Sequence, residues 1–292
     1  MILPDELMKK VRRIEFSTRK LVSDVLMGKY RTSFKGQGVQ FSEHREYMVG
    51  DDVRHIDWKT SARTRDPLIK KFEEERELTV LMLIDVSGSK EFGSRSVLKS
   101  EMAAEIAGMI AAAAIQTGDK VGAMLFSSEV EKIIRPGKGQ AHILRLIREV
   151  LGFEPKKRGT NLEAGLTAAA RMMKHSGIVF VISDFQSTKY DIALRRLAKK
   201  NDVVAVWLRD PGETEIPVGV PVLVQDPESG RELWIHSGSY EFKKWFSDFK
   251  KNWETEVRAS TRSGKVDMWE LNTGEDYAES LARYFQFRSS RK

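Results

Sequence analysis

Five residues of this 292-residue chain could share one chemistry. In "TVLMLIDVSGSK", Asp85, Ser87 and Ser89 set a carboxylate and two hydroxyls at alternate positions after an apolar run. Thr160 stands in "KRGTNLEAG" and Asp184 in "IVFVISDF". Carboxylates, hydroxyls and water are hard oxygen ligands that suit Mg2+ or Mn2+ in an octahedral shell. Two carboxylates only just neutralise a divalent ion. If they act through water, the ion stays electron-poor and binds one further carboxylate from outside. The expected site is therefore a metal held by Asp85, Ser87, Ser89, Thr160 and Asp184, open to an Asp or Glu of a protein partner.

Each residue also has a plain reading. Ser87 and Ser89 could cap the following turn, and Asp184 a turn before Phe185. Thr160 and Glu163 fit the S/T-x-x-E capping box of a helix starting near Asn161. A lone D-x-S-x-S is a weak signal. Its placement after a buried strand, with a Gly-Thr loop and a second strand-end Asp downstream, favours the metal.

Those placements require particular elements. "LTVLMLID", "DKVGAMLF", "IVFVISD", "DVVAVWL" and "KVDMWEL" read as strands, and "VEKIIRP" as one more across a short turn. Helical patterns separate them: one ending near Gly118 with Ser94 or Ser96 near its start, then "QAHILRLIREVLG", "NLEAGLTAAARMMKHSG", "YDIALRRLAKK", about Tyr240 to Thr261, and about Glu275 to Phe287. This alternation predicts an α/β fold, a mostly parallel sheet with helices on both faces. In such sheets ligands bind beyond the carboxyl ends of the strands, which would bring Asp85 and Asp184 to one edge. "VPVLVQDPESGRELWIH" reads as a hairpin insertion near 218–236. Residues 5–27 read as an amphipathic helix between Asp5 and Gly28, and the turn-rich stretch after it as short strands. The expected division is 1–77, a helix and a small β-rich segment, and 78–292, the α/β domain.

Bulk properties remove several classes. The absence of cysteine excludes disulfides, thiolate zinc sites and thiol nucleophiles. Charges interrupt the N-terminus where a signal peptide needs its apolar core. "MIAAAAI" falls far short of a membrane span, so a cytoplasmic protein with no membrane span is expected. The net charge of +7 comes from 49 basic and 42 acidic residues spread along the chain, which fits a solvated surface better than a nucleic-acid site. "DVSGS" lacks the elbow of a serine hydrolase, and "PGKGQ" lacks the spacing of a phosphate-binding loop. The five histidines lack metal-ligand spacing. A hydrolase that activates water on the metal, or a nucleic-acid binder using the basic surplus, are the alternatives to a binding module. Lys156, Lys157 and Arg158 run into Thr160 and could attract an acidic partner.

"DVSGS", "GTN" and "ISD" resemble the metal-ion-dependent adhesion site (MIDAS) of von Willebrand factor type A domains. The resemblance covers about residues 78–290 and maps the five ligand positions onto Asp85, Ser87, Ser89, Thr160 and Asp184. "REYMVGDDVRHIDWKTSAR" resembles the signature of the bacterial domain of unknown function 58 family, through Arg45, Tyr47, Gly50, Asp51, Arg54, Asp57, Trp58, Ala62 and Arg63. That family joins such a stretch to a von Willebrand type A-like domain. Its members often accompany MoxR-type AAA+ ATPases, which implies a non-catalytic adaptor in protein assembly or maturation. Two departures stand out: Lys90 replaces a Met common after the second serine, and the two leading membrane helices of some relatives are missing. Within the signature, Trp58 is expected to anchor the segment, with Arg–Asp pairs holding its loops. A docking face is the other reading.

Overall fold

The computed structural model describes residues 8–14, 30, 33–34, 40–64, 66–73, 77–88, 98–157, 159–213, 221–225 and 232–291. Ser89, Lys90 and Arg158 lie outside these residues, as do Ser94, Ser96 and most of the expected helix over 5–27, of which 8–14 is helical. The chain forms two compact units: Phe34–Glu77, and Met1–Ser33 together with Leu78–Lys292. The first residues thus group with the α/β body rather than with the β-rich segment. The reason is burial: Val11 and Ile14 are enclosed, Ile14 near Gly108, and the buried Tyr30 donates to Asp119 and meets the Phe285 ring edge-on.

The smaller unit pairs β1 (Gln40–Glu46) antiparallel with β2 (Leu68–Glu73). Between them lie a 3-10 turn at Val53–His55 and a short helix, α1 (Trp58–Thr64). That helix carries no apolar periodicity. It starts because Asp57 accepts from the Thr60 amide and hydroxyl while its carbonyl takes the Ser61 amide.

The larger unit is built on six strands in the order β10-β7-β6-β3-β4-β5. β3 (Thr79–Asp85), β4 (Lys120–Phe126), β6 (Ile178–Ser183), β7 (Asp202–Arg209) and β10 (Asp267–Asn272) run parallel. Only the edge strand β5 (Val130–Gly137) is antiparallel. Continuous apolar runs suit such strands because both sheet faces are covered. Val80 to Ile84 are wholly buried, each contributing about 1.5–3 kcal/mol over exposure. On one face α2 (Lys99–Gln116) lies on β3, β4 and β7, with α3 (Gln140–Leu151) beside it. On the other, Leu81, Leu83, Met124 and Phe126 pack with α4 (Leu162–Met172), α5 (Asp191–Ala198) and the end of a later helix, α6. β8 (Pro221–Gln225) and β9 (Glu232–His236) form the expected hairpin, whose turn lies outside the described residues. α6 (Tyr240–Gly264), capped by Ser239, and α7 (Tyr277–Ser290), capped by Asp276, complete the chain.

The α/β architecture is the expected one. Its detail that matters for function lies at β3. The chain leaves β3 towards β4 on one side, and returns through α4 to β6 on the other. β3 and β6 therefore flank the switch point where doubly wound sheets open a crevice at their carboxyl ends.

Candidate functional site at the strand ends

Asp85 ends β3 and Asp184 follows the last residue of β6, the strand hydrogen-bonded to β3. The two carboxylates are near enough to repel. Burial first, and the charge of Asp184 second, push the Asp85 carboxyl up to about 7. Asp184 is 4% exposed, while Asp85 keeps part of its surface accessible.

Local hydrogen bonds aim these groups. Asp85 Oδ1 accepts from the Ser87 amide at 3.0 Å, and Asp85 Oδ2 from the Ser183 hydroxyl at 2.7 Å. The Ser183 oxygen in turn accepts from the Phe185 amide. Phe185 has φ +58°, in the left-handed region that costs a bulky residue on the order of 1–3 kcal/mol. The turn is held by the Ser187 amide on the Phe185 carbonyl, and by the Trp207 indole on the Asp184 carbonyl. Strain of this kind persists where surrounding structure over-determines it, and here it sets the Asp184 side chain.

The Thr160 loop spans the same edge. The Asn161 amide donates to the carbonyl of Ser127, just beyond β4, and the Leu162 amide to the Ser187 hydroxyl beyond β6. Thr160 is thus tied between the strands on either side of β3. The helix cap is Asn161, whose side chain accepts from the Ala164 amide, so the capping-box role offered for Thr160 belongs to its neighbour. Gly165 brings α4 close: a Cβ there would meet the Phe126 ring at 3.0 Å.

The structure therefore gathers Asp85, Ser87 and Asp184 at one edge, with the Thr160 loop anchored across it. Ser89 lies outside the described residues. Of the basic run, Lys157 pairs with Glu129 at 3.1 Å, an exposed contact that already engages its ammonium. Three participants had no motif to announce them. Ser183 is read from the sequence as a strand residue. Lys99 and Glu213 come from distant segments, yet Lys99 Nζ donates to Asp184 Oδ2 at 3.1 Å and also to Glu213. One signal was available for Lys99. It opens α2, where the helix dipole favours an anion, and no side-chain cap precedes it.

In the signature segment, Arg45 grips Asp51 through two bonds of 2.7 Å, and Asp51 also accepts from the Met48 amide. The Arg45 guanidinium and that amide hold the Asp51 carboxyl down to about 2. Arg54 pairs with Asp52, and His44 lies 3.0 Å from Asp57. Met48, Val49, Val53 and Trp58 are exposed, and polar turns order this segment.

A protein-family model described as "Protein of unknown function DUF58" matches residues 43–256. The chain belongs to this family. DUF58 relatives include the uncharacterized proteins Rv1480 of Mycobacterium tuberculosis and Mb1516 of Mycobacterium bovis. Each is 26% identical over 283 residues, covering 95% of this chain and 88% of the relative. Among solved structures, the conserved hypothetical protein BatB from Bacteroides thetaiotaomicron aligns with 74% of this chain and 100% of its own, at 14% identity and TM-score 0.47. A von Willebrand factor type A protein from Catenulispora acidiphila aligns with 49% of this chain and 35% of its own, at 16% identity and TM-score 0.34. At those scores the DUF58 chain's architecture stands on its own strand order. Among the described residues no helix is long and apolar enough to cross a membrane.

The donor chemistry fits a divalent cation of the Mg2+ class. Among the described residues no three His, Asp or Glu side chains form a metal-binding group. An ion at this edge would therefore take Asp85 and Asp184 as its carboxylates, with hydroxyls and water completing the shell. Burial and the charge of Asp184 raise the proton affinity of Asp85, a cost that a cation at this edge would relieve.

Proposed function

We propose that this DUF58 protein is a non-catalytic, metal-dependent protein-binding adaptor. The observation that carries the reading is the pair of desolvated carboxylates, Asp85 and Asp184, at the switch point of the sheet. Asp85, Ser87 and Asp184, with Thr160 and Ser89 from the flanking loops, would hold Mg2+ or Mn2+. The ion would supply Lewis acidity toward one carboxylate from outside. The chain's own residues do the rest. Ser183 and the Ser87 amide fix the Asp85 carboxylate, the turn at Phe185 fixes Asp184, and Asn161 and Ser187 hold the Thr160 loop at the rim. The partner is a protein that offers an Asp or Glu, and a MoxR-type AAA+ ATPase is the partner class the family resemblance suggests.

A binding role is favoured over hydrolysis because, among the described residues, no His or further acid is hydrogen-bonded to Asp85 in the manner of a general base, and Glu213 is paired with Lys99. Capture from lysate of the source organism tests the reading, using wild type in Mg2+, wild type in EDTA, and Asp85→Ala. A defined ATPase or client held only by wild type in Mg2+ is the expected result. A partner held equally in all three moves the binding surface away from the strand ends, and turnover of generic esters or phosphates would overturn the non-catalytic assignment.

A further inference from the structure

Lys99 is 3% exposed, yet it is a cation at the first residue of a helix, where the dipole disfavours one. Its ammonium is held by Asp184 at 3.1 Å and by Glu213. Its two acidic partners are themselves enclosed, with side chains 3% and 12% exposed. Glu213 is delivered by the 3-10 turn Pro211–Glu213 after β7, and accepts from the Asp210 amide as well. A lysine, a strand-end aspartate and a glutamate from three separate segments thus form one enclosed cluster, and the aspartate is also a candidate metal ligand.

We propose that Lys99 is a resident counter-cation of this site, which sets how tightly a divalent ion binds. The inference rests on the metal-binding reading above. The physical ground is charge. Lys99 is hydrogen-bonded to two of the acids gathered here, Asp184 and Glu213. It lies against one carboxylate oxygen of Asp184, so a divalent ion drawn to Asp184 meets a like charge a few ångströms away. At that range a fixed charge in a poorly solvated setting changes cation affinity by about tenfold or more. Such a lysine holds resting affinity down. An incoming carboxylate then places a negative charge directly on the ion, which makes metal and partner binding mutually reinforcing.

The test is titration of the full chain with Mg2+, and with Mn2+, by calorimetry, comparing wild type, Lys99→Met, Lys99→Arg and Asp85→Ala. Lys99→Met should bind about tenfold or more tightly than wild type, while Lys99→Arg, which keeps the charge, stays near wild type. Should Lys99→Met not fold, Lys99→Gln, which removes the charge but keeps a donor toward Asp184, should still bind more tightly than wild type. Unchanged or weaker binding in the folded Lys99→Met or Lys99→Gln variant overturns the counter-cation role, while leaving the metal site standing if Asp85→Ala abolishes binding. Binding by Lys99→Met but not by wild type would support the role in its strongest form. Absence of binding in every variant would remove the metal reading and this inference together.

Discussion

At the amino ends of β7 and β10, Asp202 and Asp267 share Arg288 of α7, with Tyr284 beside it. At the carboxyl ends of β3 and β6, Asp184 shares Lys99 with Glu213, and Asp85 stands near Asp184. Both clusters put several acids on one base, but they differ in which partner is buried. Arg288 has a side chain 6% exposed, while Asp202 and Asp267 keep 36% and 40% of theirs in water. Water screens those acids, and the arginine latches α7 to the sheet. At the other end the acids Asp184 and Glu213 are themselves enclosed, and burial raises the pKa of Asp85 and Glu213. Solvated acids around a buried cation make a structural clasp. Enclosed acids around an enclosed base are, on the reading proposed above, the place where a further cation would bind.

The largest separation between the two ends should come from truncation. Arg288→Met strands two acids against a buried surface and should cost about 2–3 kcal/mol in urea unfolding, less than a fully buried pair because water screens the acids. Asp85→Asn in EDTA should cost far less or stabilise, since it removes a charge that burial opposes. Equal losses at the two ends would erase the distinction.

Acidity should sharpen it. The Asp85 carboxyl sits near 7 in the folded chain and near 3.8 when unfolded, so between those values the folded state holds the extra proton. Its contribution to stability is fully present below about pH 4 and is lost as pH rises through 7. In EDTA, wild type should therefore lose stability across that window relative to Asp85→Asn, by on the order of a few kcal/mol. Saturating Mg2+ should remove the difference above pH 7. Parallel pH profiles of the two proteins would show that Asp85 is not desolvated.

The smallest effect is expected in the other unit. Arg45→Ala breaks a solvated pair and should leave the melting temperature and Mg2+ affinity close to wild type. Loss of a captured partner in that variant would make the segment with Met48, Val49, Val53 and Trp58 outward a second docking face.

Much of the larger unit was legible in the sequence. Apolar runs such as Val80–Ile84 and Ile178–Ile182 can only be strands buried on both faces, and an acid placed straight after such a run lands at the sheet edge. That is why Asp85 and Asp184 could be paired across nearly a hundred positions. Beyond the unusual start of α2, the roles of Lys99 and Glu213 were illegible because they lie in the contacts Lys99 makes with Asp184 and with Glu213, and no local spacing encodes a partner 85 or 114 residues distant. α1 escaped notice because a side-chain cap from Asp57 starts it without an apolar stripe. The Arg–Asp pairing expected within the signature is present as Arg45–Asp51 and Arg54–Asp52, and the Asp57 turn adds to it. Thr160 and Glu163 matched a capping box, but the chain uses Asn161 one residue later.

The most direct measurement is a Mg2+ titration of the full chain beside Asp85→Ala, each also titrated with Mn2+. One divalent ion bound by wild type, and none by the folded Asp85→Ala, is the predicted result. Equal binding by both proteins, or none by wild type and none by Lys99→Met with either ion, would contradict a metal site at these strand ends.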